Sequence, residues 1–162
     1  IAGGFVATEL ITVIAAWIFR KIKHPHSTFY IVPDKNPGIN LDFSIKSTME
    51  EASVVHTRIM EFCREKGVSG NKANLAAICA EEMTVNIIRF GGKTSNWIDI
   101  NFCIEDDLCR LRIRDNGVNF NPLEYSCDSE EFDIHGIELV KKISKSMDYI
   151  RAIDMNNTII SF

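Results

Sequence analysis

The sequence has no excess of positive charge: 18 lysines and arginines stand against 22 aspartates and glutamates, and the formal net charge is −4. A nucleic-acid-binding domain usually presents a basic face, so we expect no nucleic-acid partner. The five cysteines include no CxxC pair, and no cysteine–histidine cluster has the spacing of a zinc site. An odd, unclustered set of cysteines predicts reduced thiols in a cytosolic compartment.

The sequence also lacks a GxxxxGKS or GxxxxGKT phosphate-binding loop, an internal repeat and a low-complexity tract. It is neither strongly charged nor strongly apolar, with 25% charged and 46% hydrophobic residues. This balance is typical of one globular domain. A nucleotide site of the P-loop type is therefore excluded.

One long apolar run is present, at the start of the chain. Residues 1–19 are almost wholly apolar, and three basic residues follow within the next four positions. As a helix this run would span roughly 28 Å, close to the thickness of a bilayer core. We expect residues 1–22 to form a transmembrane helix with Trp17 at the interface or, alternatively, an apolar helix buried in soluble protein. A signal peptide is disfavoured, because the basic residues follow the apolar run.

The remaining chain divides into a linker and one folded domain. Residues 23–38 hold three of the four prolines and are interpreted as the linker. Residues 39–162 show strand and helix patterns in the order β-α-α-β-β-loop-α-β-β, which predicts an α+β fold. We expect a two-layer α/β sandwich with a mixed, mostly antiparallel sheet and helices on one face. The expected strands are 39–45, 95–104, 108–115, 148–153 and 158–162; the expected helices begin at Ser47, at Ser69 or Asn71, and at Gly136, and end before Gly67, near Phe90 and at Met147.

The second predicted helix carries polar residues on the face that should be apolar. Along one face at helical spacing, three apolar residues are followed by three polar ones: Leu75, Ile78, Cys79, Glu82, Asn86 and Arg89. Glu82 and Asn86 lie one turn apart, so their side chains meet. Their oxygen atoms suit Mg²⁺, and Glu82 could also position or deprotonate a nucleophile. The alternative interpretation is a polar patch that faces solvent.

A second polar segment follows the strand predicted over 108–115. Asp115 ends this strand, and Gly117 comes two residues later. The carboxylate can accept a hydrogen bond from an exocyclic amine, while glycine lets a ligand ring approach the backbone closely. The dipeptide Asn-Gly is also a common hairpin turn, which is the alternative. However, no strand follows at once, and a loop as long as 116–133 is typical of a lid or a binding loop.

The third polar segment opens the helix predicted to begin at Gly136. Backbone N–H groups at a helix start bind anions, phosphate above all. The alternative is an ordinary helix start. His135 has no metal-ligating neighbours in the sequence, so we interpret it as a loop residue or a neighbour of phosphate.

Four segments in this order, EEMTVNIIRF, DNGVNFNP, HGIELV and NNTIISF, resemble the motifs of the Bergerat-fold ATPases. This group contains the gyrase, histidine-kinase and MutL-type ATP-binding domains, and the branch most similar in motif is that of the serine kinases and anti-sigma factors. The resemblance extends over roughly residues 39–162. It implies a histidine-kinase-like ATP-binding domain that uses ATP and Mg²⁺.

The resemblance also implies a role for individual residues. Glu82 would be the catalytic base and Asn86 the Mg²⁺ ligand. Asp115 would accept the adenine amine, Gly117 would lie beside the ring, and the helix start at Gly136 would face the phosphates. The full set of implied nucleotide contacts is Asn86, Arg89, Asp115, Gly117, Phe120, His135, Gly136, Ile137 and Thr158.

Two departures from the family pattern separate the possible functions. Ile134 stands where the second glycine box normally has glycine, and Phe90 stands where the anti-sigma branch has histidine. The first hypothesis is a serine/threonine kinase of the anti-sigma type, at the cytoplasmic face of a bacterial membrane, that phosphorylates or sequesters a small antagonist or regulatory protein. The alternatives are a non-catalytic nucleotide sensor controlling an attached membrane protein such as a transporter, and an interaction domain with a vestigial pocket. This branch commonly dimerises, so a homodimer is also implied.

Overall fold

The computed structural model describes residues 11, 14, 18, 38–92, 97–105, 107–125 and 135–162. The chain divides into two units, Ile1–Asn36 and Pro37–Phe162. The transmembrane or apolar helix predicted over 1–22 and the linker predicted over 23–38 lie almost entirely outside the described residues. Within the described part, no helix is both long and apolar enough to cross a bilayer.

The unit Pro37–Phe162 contains five strands and three helices among its described residues. They are β1 (Ile39–Lys46), α1 (Met49–Glu65), α2 (Gly70–Phe90), β2 (Trp97–Glu105), β3 (Leu108–Asp115), α3 (His135–Ile143), β4 (Ser146–Ala152) and β5 (Met155–Ser161). The strands form one sheet in the order β1-β2-β3-β5-β4. The predicted α+β class is confirmed.

Every neighbouring pair of strands in this sheet is antiparallel, so the prediction of a mixed sheet is wrong. The connection through α3 leads from β3 to β4, and these two strands run in the same direction. They are not neighbours, because the β4–β5 hairpin inserts β5 between them. A crossover helix therefore occurs here without any parallel pairing.

The core lies between the sheet and the helices. Strand β3 shows the alternation that a half-buried strand requires, since every second residue is buried. The inward residues of β3 are Cys109, Leu111, Ile113 and Asp115. Helix α2 faces the core with small residues, among them four alanines, which allow its backbone to lie close to its neighbours. Asp115 is thus an inward-facing carboxylate at the very end of a core strand.

Three helix boundaries differ from the prediction, the smallest difference being that α3 begins at His135 instead of Gly136. Helix α1 is capped by Thr48 rather than Ser47, since Thr48 has extended backbone angles and its hydroxyl accepts a hydrogen bond from the Glu51 N–H. Helix α3 ends at Ile143 instead of Met147, because Ser146 and Met147 pair with β5 and belong to the sheet.

The β4–β5 hairpin turns at two residues, Ile153 and Asp154, whose φ angles are 50° and 58°. Two successive left-handed residues characterise a type I′ turn, whose twist matches that of the flanking strands. The strands expected at 148–153 and 158–162 leave residues 154–157, DMNN, as the predicted turn, and this prediction is wrong. Its asparagines belong to β5, and the alternation along β5 turns Asn156 and Thr158 inward.

Ile153 is an unfavourable residue for this turn. A β-branched side chain rarely adopts positive φ, and here 92% of the residue is exposed, so it gains almost no burial in return. We expect Ile153→Asn to raise the free energy of unfolding by about 1 kcal/mol, since asparagine tolerates the left-handed region. Urea unfolding measures this. Ile150→Asn, on the regular part of β4, is the control and should not stabilise; equal effects of both variants would contradict the turn geometry.

Candidate functional site

A cleft lies where the C-terminal half of α2 meets the ends of β3 and β5. It encloses about 370 Å³ of empty space, part of it open to solvent. Four of the residues predicted from the sequence line it: Asn86, Asp115, Phe120 and Thr158. Its other lining residues are mostly apolar, apart from Asn156. An apolar cleft with a few convergent polar groups is the usual form of a small-molecule site.

Among the described residues that line this cleft, Asp115 is the one with a carboxylate, and only 4% of it is exposed. Its Oδ1 accepts hydrogen bonds from the Gly117 N–H (2.8 Å) and from Asn156 Nδ2 (3.0 Å). Burial raises the pKa of Asp115 above its ordinary value, while these two hydrogen bonds and the charge of Arg151 act in the opposite direction. Both bonds from the described residues go to Oδ1, so Oδ2 remains as an acceptor for a ligand.

Gly117 allows the loop after β3 to pack closely against the end of α2. A Cβ atom at this position would lie 2.6 Å from the Gly91 carbonyl oxygen and 2.7 Å from Asp115 Oδ1. The neighbouring Val118 N–H donates to the same carbonyl at 2.9 Å. The close approach that Gly117 permits is thus between two backbone segments. It holds the loop and Asp115 in a fixed relation to α2.

Asn156 is a central site residue that sequence reasoning missed, because its segment was assigned to a turn. It is 5% exposed and lies on the inward face of β5. Its Nδ2 donates to Asp115 Oδ1 and, at 2.9 Å, to the Val118 carbonyl. The alternation of Asn156, Thr158 and Ile160 along one strand is the signal that could have revealed it.

Glu82 and Gly136 do not line the cleft, but they lie next to Asn86, which does. Asn86 Nδ2 donates to the Glu82 carbonyl at 2.8 Å, and its Oδ1 is buried without a hydrogen-bond partner among the described residues. A Cβ atom on Gly136 would overlap the Glu82 carboxylate and lie 3.2 Å from Asn86 Nδ2. The start of α3 is therefore packed directly against the two polar residues of α2. An unpaired buried oxygen costs free energy, which points to a missing partner.

The model of one protein family, the histidine kinase-like ATPase domain, matches residues 45–162. The chain belongs to this family. Among solved structures, it is similar to the RsbU and RsbW domains of Rv1364c from Mycobacterium tuberculosis, with a TM-score of 0.56 and 13% sequence identity. The similarity covers 77% of this chain but only 32% of that chain.

The histidine kinase domain of the blue-light activated histidine kinase EL346 from Erythrobacter litoralis is more distant. It has a TM-score of 0.44 and 11% identity, over 68% of this chain and 64% of that chain. No curated protein matches this chain. The family match and the likeness to the RsbU–RsbW structure agree with the observed five-stranded antiparallel sheet and three helices. The predicted resemblance is confirmed at the level of the histidine kinase-like ATPase fold.

The other residues implied by the family resemblance occupy varied positions in this histidine kinase-like domain. Phe120 is half-buried and packs against Tyr125, with ring centroids 5.8 Å apart. Arg89 is exposed in the last turn of α2. Ile137 is fully buried in the core, so it could contact a ligand only through its backbone. His135 begins α3, but its side chain, like Ile134, lies outside the described part of the chain.

The buried thiols of this ATPase-like domain do not contribute to the site. Burial raises the pKa of Cys63 to about 11 and that of Cys79 to about 12. Since the thiolate is the reactive form, both side chains are inert near neutral pH. The polar groups of the candidate site are therefore carboxylates, amides and the backbone N–H groups at the start of α3.

Proposed function

We propose that this domain binds ATP in the cleft, with the adenine amine donating a hydrogen bond to Asp115. The observation that carries this proposal is the buried carboxylate whose Oδ1 is fully engaged and whose Oδ2 is left to accept. Adenine presents a donor at its 6-position, whereas guanine presents an acceptor there. Membership in the histidine kinase-like ATPase family supports the same ligand.

Asn86 is our proposed Mg²⁺ ligand. Its buried, unpaired Oδ1 is the kind of hard oxygen donor that Mg²⁺ takes. Among the described residues no group of three or more His, Cys, Asp or Glu could hold a metal ion. This donor set fits Mg²⁺ held mainly by phosphates and water rather than by a protein cage. When bound, the ion neutralises charge on the phosphates, and Asn86 and the α3 N–H groups orient them.

We propose phosphoryl transfer to a serine or threonine of a partner protein as the reaction. Glu82 lies beside Asn86 and Gly136, where its carboxylate can orient the attacking hydroxyl and take its proton. The likeness to a structure that contains an RsbW domain supports a protein partner, an antagonist or regulator of the anti-sigma type. A homodimer and attachment to the cytoplasmic face of a membrane through residues 1–22 belong to this proposal.

The second candidate function is a nucleotide sensor without turnover that controls an attached membrane protein such as a transporter. It is favoured by Ile134, which replaces the glycine of the second glycine box just before α3. A bulky side chain there disfavours close wrapping of the phosphates, while adenine recognition by Asp115 is unaffected.

Calorimetric titration of the full chain with ATP, with and without Mg²⁺, tests the proposal, and GTP serves as the control ligand. We expect saturable ATP binding that is tighter with Mg²⁺ and at least tenfold weaker for GTP, since guanine presents the acceptor O6 where adenine presents its 6-amine to Asp115. Absence of binding at millimolar ATP would overturn both the kinase and the sensor.

We expect Gly136→Ala to weaken Mg-ATP binding by about tenfold, because the added methyl group displaces the Glu82 carboxylate and crowds Asn86. The displaced atoms are the end of a flexible side chain, so the free energy of unfolding should change by less than about 1 kcal/mol. Gly70→Ala is a matched control at another helix start, where nothing lies within 4 Å of the added Cβ. Titration with ATP and Mg²⁺ measures both, and equal affinities would contradict the placement of phosphate at α3.

A further inference from the structure

Asn156 connects the β4–β5 hairpin to the carboxylate in the cleft. Its Oδ1 accepts a hydrogen bond from Arg151 Nη1 at 2.7 Å and lies 2.7 Å from the Tyr149 hydroxyl. Its Nδ2 donates to Asp115 Oδ1 and to the Val118 carbonyl. Every hydrogen-bonding group of this amide is therefore used, although none of the motifs found in the sequence assigns a role to Asn156.

The surroundings fix the orientation of this amide. A guanidinium has only donors, so the atom of Asn156 that faces Arg151 must be the oxygen. The nitrogen must then face Asp115 Oδ1 and the Val118 carbonyl, which are both acceptors. Turning the amide over would place two donors against Arg151 and an oxygen against the Asp115 carboxylate. Arg151 and Tyr149 on β4 thus determine which atom Asn156 presents to Asp115 on β3.

A fixed amide also fixes the carboxylate. Oδ1 of Asp115 is held by Asn156 and by the Gly117 N–H, so rotation of the carboxylate would break two hydrogen bonds at once. Oδ2 therefore keeps one position as the acceptor for a ligand.

The charges around Asp115 come from one side. Arg151 acts on it from β4, and the Tyr149 phenol is the other titratable group on that strand near Asn156. Among the described residues that line the cleft, helix α2 contributes Asn86 and apolar side chains but no charge beside Asp115. Hydrogen bonding to the carboxylate and the charge of Arg151 both favour its ionised, acceptor-only form.

We propose that Asn156 is a positioning residue that holds the Asp115 carboxylate with one oxygen turned to the ligand, and thereby sets the preference for purines with a 6-amino group. The preference for 6-amino purines rests on the proposed ATP binding. The positioning of Asp115 by Asn156 rests on the hydrogen bonds alone and can be measured without a nucleotide.

The test is an NMR titration of the Asp115 carboxyl carbon in the ligand-free protein, followed by titration with ATP. Asn156→Ala should raise the pKa of Asp115 by about one unit and weaken ATP binding by about tenfold. Arg151→Met leaves Asn156 in place but removes the guanidinium that orients its amide, together with the positive charge. It should therefore also raise the pKa of Asp115 and weaken ATP binding. This variant replaces Asn156→Ala in the test if Asn156→Ala does not fold. Asn157→Ala is the control, because Asn157 is on the same strand, faces away from the cleft and contacts Arg114.

The possible results separate this inference from the proposed function. An unchanged pKa of Asp115 in both Asn156→Ala and Arg151→Met would overturn it, whatever happens to ATP affinity. An equal pKa shift in Asn157→Ala would also overturn it, since the effect would then be a general loosening of β5. A shifted pKa in a protein that does not bind ATP at all would support the positioning role and reject ATP as the ligand.

Discussion

Replacing Asp115 with asparagine is expected to weaken ATP binding by roughly 10- to 150-fold, the loss of one hydrogen bond to a charged group, about 1.5–3 kcal/mol. The asparagine oxygen can still accept from Gly117 and Asn156, as Oδ1 of Asp115 does. Its nitrogen then replaces Oδ2 and places a donor against the adenine amine. Calorimetric titration with ATP gives the ratio of dissociation constants directly.

Inosine triphosphate is the informative control ligand for Asp115→Asn, because its 6-oxygen is an acceptor. The variant should bind inosine triphosphate better, relative to ATP, than the unaltered protein does. The free energy of unfolding should not decrease in this variant. Burial raises the pKa of Asp115, so its ionised form costs stability above that pKa, and a neutral amide removes this cost at neutral pH. Equal loss of both ligands, or a lower unfolding free energy at pH 7, would count against recognition through Oδ2.

Strand β3 shows why the centre of the site could be predicted from the sequence. In the segment LCRLRIRD, apolar and charged residues alternate from Cys109 to Arg114, and the predicted bounds, 108–115, are those observed. Because the alternation determines which residues face inward, the sequence alone assigns Asp115 to the core face. An acid at an inward position requires a polar partner or a ligand, and this requirement makes Asp115 a candidate site residue.

The β4–β5 hairpin shows where such reasoning fails. The segment DMNN has the residues that favour turns, whereas Ile153 is a residue that turns avoid. Hairpin register instead placed the turn at Ile153 and Asp154, two residues wide, because pairing continues from Ala152 to Met155. Placing the turn too late in the chain hid Asn156, since a loop residue has no assigned face.

The polar face of α2 could be predicted from the sequence only in part. Helical periodicity correctly grouped Glu82 and Asn86, but it could not give their burial. Asn86 is 4% exposed while Glu82 is half-buried, and this depends on how α3 packs against them through Gly136. That packing depends on the long connection across residues 116–134; the sequence predicts that a helix begins at Gly136, but it does not predict which residues of α2 this helix contacts.

Glu82→Gln is expected to lower the rate of ATP turnover by about 10²- to 10⁴-fold while leaving the affinity for ATP within about twofold. Glutamine keeps the shape of the side chain and its contact with Gly136 but cannot take a proton. Single-turnover release of ADP, with water accepting the phosphoryl group in place of the natural hydroxyl, measures the rate, and calorimetry measures the affinity. Glu81→Gln is the matched control: Glu81 is adjacent in sequence, yet its carboxylate pairs with His56 Nδ1 at 3.1 Å on α1.

The pair of variants also separates the two proposed functions. A kinase requires a group that accepts the hydroxyl proton, so only Glu82→Gln should lower the turnover rate. A sensor requires only binding, so neither substitution should alter its response to ATP. The sensor is favoured if the unaltered protein binds ATP but releases no ADP, and if Glu82→Gln binds ATP equally well. Glu82 would then not act as a base. Ile134 before α3 would then be the residue to replace with glycine, because restoring turnover would identify it as the change that made a kinase fold into a sensor.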